Sequence, residues 1–130
     1  MPPVQMRLSN VLSIQSPPEA LSMWLIPTLT MPNPKWLDNE RMGRWNRRTP
    51  KELKFYRNVR GGGIRIPRGF TGTLLRQCRR MGIAYELNDR RRLLAECDYD
   101  FQGRLKPFQL EAVTKMGAKD FGTLSAPTGS

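Results

Sequence analysis

The sequence predicts an α+β fold: a small, mostly antiparallel sheet with helices on one face, followed by the first helix–strand fragment of an α/β domain. Three observations carry the first part. Short runs with apolar residues at alternate positions are interspersed with segments whose apolar residues recur every three or four, the strand and helix periods respectively. A triple glycine at 61–63 separates two short β-prone runs, as in a hairpin. Apolar content is 38% over 130 residues, enough for one modest core and too much for a disordered chain.

Taken in order, Val4, Met6 and Leu8, then Val11, Leu12 and Ile14, predict a strand with a bulge near Ser9-Asn10. Ser16-Pro17-Pro18-Glu19 is a helix-start signature, a serine cap followed by proline and then glutamate. The helix runs through Ala20, Leu21, Met23, Trp24 and Leu25, and Pro27 ends it or follows its end. PTLTMPNPKW, with three prolines, reads as an irregular connector, and no element is assigned over 35–49. Lys51 to Arg60 and Ile64 to Pro67 form the hairpin around Gly61-Gly62-Gly63. Phe70 to Met81 is a helix, with Phe70, Leu74, Leu75, Cys78 and Met81 on its apolar face and Gly82 as its stop. Ile83 to Leu87 alternates as a strand, Asn88-Asp89 turns, and Arg90-Arg91-Arg92 lead into a further strand at Leu93-Leu94.

Composition changes after Cys97. Asp98 to Phe101 is acidic and aromatic, and Gln102-Gly103 is a break. Leu105 to Met116 then has helical spacing, Gly117 stops it, and Thr123 to Ala126 is a short strand leading into Pro127-Thr128-Gly129-Ser130.

Several function classes fall away at this level. No run approaches 18 apolar residues, and the N-terminus lacks the basic and apolar regions of a signal peptide, so a cytoplasmic protein without membrane partners is expected. Two cysteines, Cys78 and Cys97, make neither a disulfide framework nor a zinc site, and both are expected to be reduced and at least half-buried. The chain has no histidine. Ser-His-Asp and Cys-His chemistry within it are excluded, as is a His-containing metal site.

Charge is the informative bulk property. The net charge is +11, and it is concentrated. Residues 1–40 carry 2 basic and 3 acidic groups, residues 41–92 carry 16 and 3, and residues 93–130 carry 4 and 5. One block therefore supplies the whole excess, and arginine dominates it. A merely soluble surface mixes signs, whereas the planar guanidinium fork suits phosphate. DNA, single- or double-stranded, is the expected partner. The alternative is a docking module whose basic face meets an acidic protein surface; a basic RNA-associated protein is a third reading. The arginines singled out for phosphate contact are Arg57, Arg60, Arg65, Arg68, Arg76, Arg79, Arg80, Arg90, Arg91 and Arg92. Trp45, between Arg44 and Arg47, is the tryptophan singled out as a base-stacking platform.

The closing LSAPTGS has the composition of a loop that follows a strand and cradles phosphate with backbone N–H groups. LKPFQLEAV at 105–113, about 20 residues upstream, resembles the L-R-P-Y-Q element that precedes the Walker A loop in superfamily 2 helicases. GGGIRIPRGF, a helix and then GIAYELNDRR resemble the accessory region before the motor in XPB-like and UvsW-like DNA repair and recombination helicases, a group that includes type III restriction helicase subunits. The resemblance covers about 50–92 and 105–130; over 1–49 it is loose. It implies that Gln109 meets the adenine edge and that Thr128, Gly129 and Ser130 begin the phosphate cradle. It implies ATP and magnesium as cofactors of an intact parent, none held tightly here, and the rest of the motor as a partner.

The chain departs from the family in lacking the Walker A lysine and every later helicase motif, so no ATPase activity is expected of it. The expected organisation is an accessory DNA-binding domain over 1–100 and, over 101–130, a linker with the start of a RecA-like motor. No catalytic or metal-ligating residue is assigned.

Overall fold

The computed structural model describes residues 2–127. The fold is α+β, with a mostly antiparallel sheet. The chain divides into two units, one ending at Arg92 and one beginning at Leu93.

The first unit is built on five strands. β1 (Val4–Leu8) and β2 (Val11–Ile14) pair antiparallel through a tight turn at Ser9-Asn10, with Leu8 opposite Leu12 and Met6 opposite Ile14. The expected single bulged strand is thus a hairpin. Leu8 and Leu12 keep the same parity across the turn, so the apolar set resumes in phase after Ser9-Asn10 and a hairpin has the pattern of an interrupted strand. β5 (Arg57–Val59) and β6 (Gly63–Pro67) form the glycine hairpin, with positive φ at Gly61 and Gly62. β6 also pairs antiparallel with β2, and β7 (Tyr85–Asp89) pairs parallel with β1. The strand order is β5-β6-β2-β1-β7.

β7 lies two residues later than the alternation indicates. Asn88 and Asp89 are its last residues, opposite Arg7 and Leu8, and not a turn. The parallel pairing requires a crossover, and the chain supplies it between Pro67 and Tyr85. A 3₁₀ turn (Arg68–Phe70) leads into α3 (Thr71–Arg80). At the far end Gly82, at φ 65, donates to the Arg79 carbonyl while Ile83 donates to that of Cys78. This paired closure satisfies the last carbonyls of the helix.

Alternation decides which face of the sheet is buried. Val4, Met6, Leu8, Leu12, Ile14, Ile64 and Ile66 are all buried and lie on one side. α1 (Glu19–Thr28) contributes Leu21 and Leu25, and α3 contributes Leu74 and Cys78, all fully buried. Each such leucine removed from water contributes on the order of 1.5–3 kcal/mol. Trp24 of α1 stacks on Phe70 with ring centroids 5.9 Å apart. The expected serine cap is absent, because Ser16 adopts φ 41 and Pro18 occupies the cap position with no side-chain bond. Pro27 lies in the final turn of α1, which ends one residue later.

The connector at 27–36 is more ordered than its prolines suggest. β3 (Thr30–Pro32) pairs with β4 (Glu52–Lys54) in a separate two-stranded sheet, so the run Lys51 to Arg60 splits into β4 and β5. Asn33 caps α2 (Pro34–Arg41): its Oδ1 accepts from the Lys35 N–H at 3.1 Å and its Nδ2 donates to the Pro50 carbonyl at 2.8 Å.

In the second unit, α4 (Pro107–Gly117) is the expected helix, but it begins two residues later than Leu105 and includes Gly117, so Ala118 and not Gly117 is its C-cap. Residues 93–94 and 123–126 are not strands: neither run has a ladder partner, and Leu93 and Leu94 are exposed. Periodicity identifies a segment that suits a strand; a strand exists only where another lies beside it. Among the described residues, no helix is long and apolar enough to cross a membrane.

Candidate nucleic-acid interface

α1 and α3 bury one face of the five-stranded sheet, so the other face is assembled from the alternate residues. Register places five of these in one row across the strands. Arg57 on β5 is opposite Arg65 on β6, Arg65 opposite Ser13 on β2, Ser13 opposite Arg7 on β1, and Arg7 opposite Asn88 on β7. Directly paired residues share a face, so all five belong to the open side. At about 4.8 Å per strand spacing, the backbones of Arg57 and Arg65 are about 5 Å apart and those of Arg57 and Arg7 about 14 Å apart.

The three arginines are exposed. None of them has an ion-pair or side-chain hydrogen-bond partner among the described residues, and neither has Arg60 in the β5–β6 turn. Of the sheet residues on this side, Glu86 alone is acidic, and its Oε2 accepts a 2.8 Å bond from Gln5 beside it. Arg57 facing Arg65 is unfavourable for the fold by itself, since like charges directly across a ladder destabilise by roughly 0.2–1 kcal/mol. An anion lying over the pair reverses that sign.

Two concavities open on this row. One, of about 760 Å³, is floored by Arg7, Ser13 and Arg65 and walled by Lys54, Phe55, Tyr56 and the Ser9-Asn10 turn. Phe55 is 45% exposed. The other, of about 420 Å³, shares the same three residues and reaches Arg60 and Gln15.

The structure therefore separates the arginines that the sequence groups together. Arg57, Arg60 and Arg65 belong to the open face or its edge, and Arg68 begins the 3₁₀ turn. Arg76, Arg79 and Arg80 lie on α3, whose buried residues are Thr71, Leu74 and Cys78. At 3.6 residues per turn, Arg76 and Arg80 point away from that buried side and Arg79 flanks it. They face away from the sheet, so one rigid ligand cannot lie on both groups. Arg79 donates to the Tyr85 hydroxyl and Arg76 to Thr73 Oγ1. Arg90 donates to Asn88, and its backbone N–H to Leu8. Arg91 makes a forked ion pair with Asp89, at 2.7 Å to Oδ2, which holds that carboxyl below its usual range. Arg92 is exposed.

Arg7, Ser13, Asn88 and Lys54 were not indicated by the sequence pattern. Arg7 lies outside the basic block, and only the strand register brings it beside Arg65. Trp45 is 82% exposed, with the Arg47 guanidinium 5.8 Å from its ring centre.

In the second unit Gln109 is half-buried, and its Oε1 accepts the backbone N–H of Lys106 at 3.0 Å, closing the start of α4. That bond is a structural use of the side chain. Thr128, Gly129 and Ser130 lie outside the described residues. Among the described residues no three His, Cys, Asp or Glu side chains gather as metal ligands. Cys78 is buried, and burial raises its thiol pKa; Cys97 is exposed, contrary to the expectation of a half-buried thiol. No protein-family model matches the chain, and no curated protein or solved structure matches it.

Proposed function

We propose that the unit ending at Arg92 is a nucleic-acid-binding domain that holds DNA by its phosphates on the open face of the sheet. The observation that carries this reading is the row Arg57–Arg65–Ser13–Arg7: three arginines aligned on one face, two of them directly opposed. Such an arrangement costs the fold stability and suits an anionic polymer. The resemblance to the accessory region of superfamily 2 helicases supports the next step. On it, the domain serves an ATP-dependent helicase or translocase, with ATP and magnesium belonging to the motor. The resembling motifs fall on β6, the 3₁₀ turn, α3 and β7, so they form one continuous βαβ crossover of the sheet that carries the row.

Fluorescence anisotropy across a salt series tests the binding. Arg7, Arg57, Arg60, Arg65 and Lys54 together neutralise up to about five phosphates. The slope of log K against log salt is then about −4 to −5 on duplex and about −3.5 on a single strand. Replacing Arg57 and Arg65 with Thr lowers the slope by one to two. Replacing Arg76, Arg79 and Arg80 with Ala leaves it unchanged. Absence of binding to any nucleic acid at about 50 mM salt refutes the reading and leaves docking on an acidic protein surface.

A further inference from the structure

We infer that the occupant of the open face is a single strand of nucleic acid, running across the sheet from β5 towards β7; this rests on the nucleic-acid reading above. The first reason is the shape of the charge. Arg57, Arg65 and Arg7 form one file about 14 Å long, which matches one phosphate chain. A duplex presents two chains across a groove of about 6 or 12 Å, and is read by an element that enters a groove. The relief around the concavity on this face is the Ser9-Asn10 turn and the 54–56 wall, neither of them a helix.

The second reason is the cavity. A concavity of about 760 Å³, with a half-exposed phenylalanine in its wall, accepts bases that are out of the stack. Bases in a duplex stay inside it, whereas a single strand lays its bases on aromatic faces beside a basic track. The third is what lies between and beyond the arginines. Ser13 and Asn88 complete the row; Asn88 Oδ1 already accepts from Arg90, and its Nδ2 offers a donor to a base edge. Glu86, two residues before Asn88 on β7, places the one carboxylate among the described sheet residues of this face beyond Arg7.

The test uses the full chain and a labelled oligonucleotide of about 16 nucleotides, single-stranded or annealed to its complement, at about 50 mM salt. The single strand is expected to bind at least about tenfold more tightly than the duplex. Arg57→Thr with Arg65→Thr lowers single-strand affinity about tenfold or more, and the α3 triple alanine variant changes it less than about twofold. Phe55→Ala lowers it about fivefold or more without altering the salt slope, because a lost stack releases no counterion. Duplex binding that equals or exceeds single-strand binding, while the Arg57/Arg65 variant still weakens it, overturns this inference and leaves the proposed function standing. No binding of either form overturns both. The comparison of the two forms needs only the unsubstituted chain, so it decides the matter even if a variant does not fold.

Discussion

Arg65→Thr should make the first unit more stable while weakening its hold on nucleic acid. Arg65 sits on β6 directly opposite Arg57, both exposed. Two unit charges about 7–10 Å apart in water repel by roughly 0.4–0.6 kcal/mol, within the range of about 0.2–1 kcal/mol for directly opposed like charges on a ladder. Thr suits a strand, so no backbone preference is lost. Part of the gain is offset by the arginine stem, whose methylenes cover sheet surface. The net expectation is a stabilisation of about 0.3 kcal/mol, or about 1–2 °C in Tm for a unit of this size.

The salt dependence identifies the cause. At about 1 M salt the Debye length is about 3 Å, so the gain should disappear. Urea unfolding at low and high salt measures it, with the fluorescence of Trp24, stacked on Phe70 between α1 and α3, as the signal. A loss of about 1 kcal/mol or more, or a gain independent of salt, would refute the reasoning, since Arg65 would then hold the sheet together and not merely sit on it.

Three further outcomes are expected. Asn33→Ala removes the cap of α2 and the bond to Pro50 together, and should cost about 1–2 kcal/mol by chemical denaturation. Gly82→Ala places a side chain at φ 65 after α3 and should cost about 1 kcal/mol, read as a lowered Tm. In a timed thiol assay Cys97 should react at once and Cys78 only on unfolding. Because burial raises the Cys78 pKa above the ordinary thiol value of 9.0, the contribution of its neutral form is fully present below pH 9.0 and lost as pH rises through the higher folded value. Urea midpoints at about pH 7 and about pH 10 check this, and a Cys78→Ala variant should flatten that part of the difference.

Local signals in the chain specify the α+β class, the glycine hairpin, α3 with its glycine stop and α4. In each of these the signal is local. Gly61 and Gly62 take backbone angles that other residues avoid, and Leu74 and Cys78 repeat at the helix period. The excess of positive charge in 41–92 was legible too, because charge needs no geometry to be counted. Asn33-Pro34 was a readable cap signal hidden among prolines that suggested an irregular connector.

Pairing belonged to the tertiary structure. Leu8 and Leu12 carry one alternation through a turn, so no local pattern distinguishes a bulge from a hairpin there. Residues 123–126 have the composition of a strand without a partner, while Asn88 and Asp89, which look like a turn, are held in β7 by β1. The candidate site depends on this non-local information. Arg7 and Arg65 are 58 positions apart in the chain and become neighbours across one strand only because β1, β2 and β6 take a particular order and register. The same order turns the α3 arginines, which the sequence joined to the hairpin, to the other side of the sheet. Which side chains exist is written residue by residue, but which of them share a face is set by hydrogen-bonded register and by the need to bury one side of the sheet.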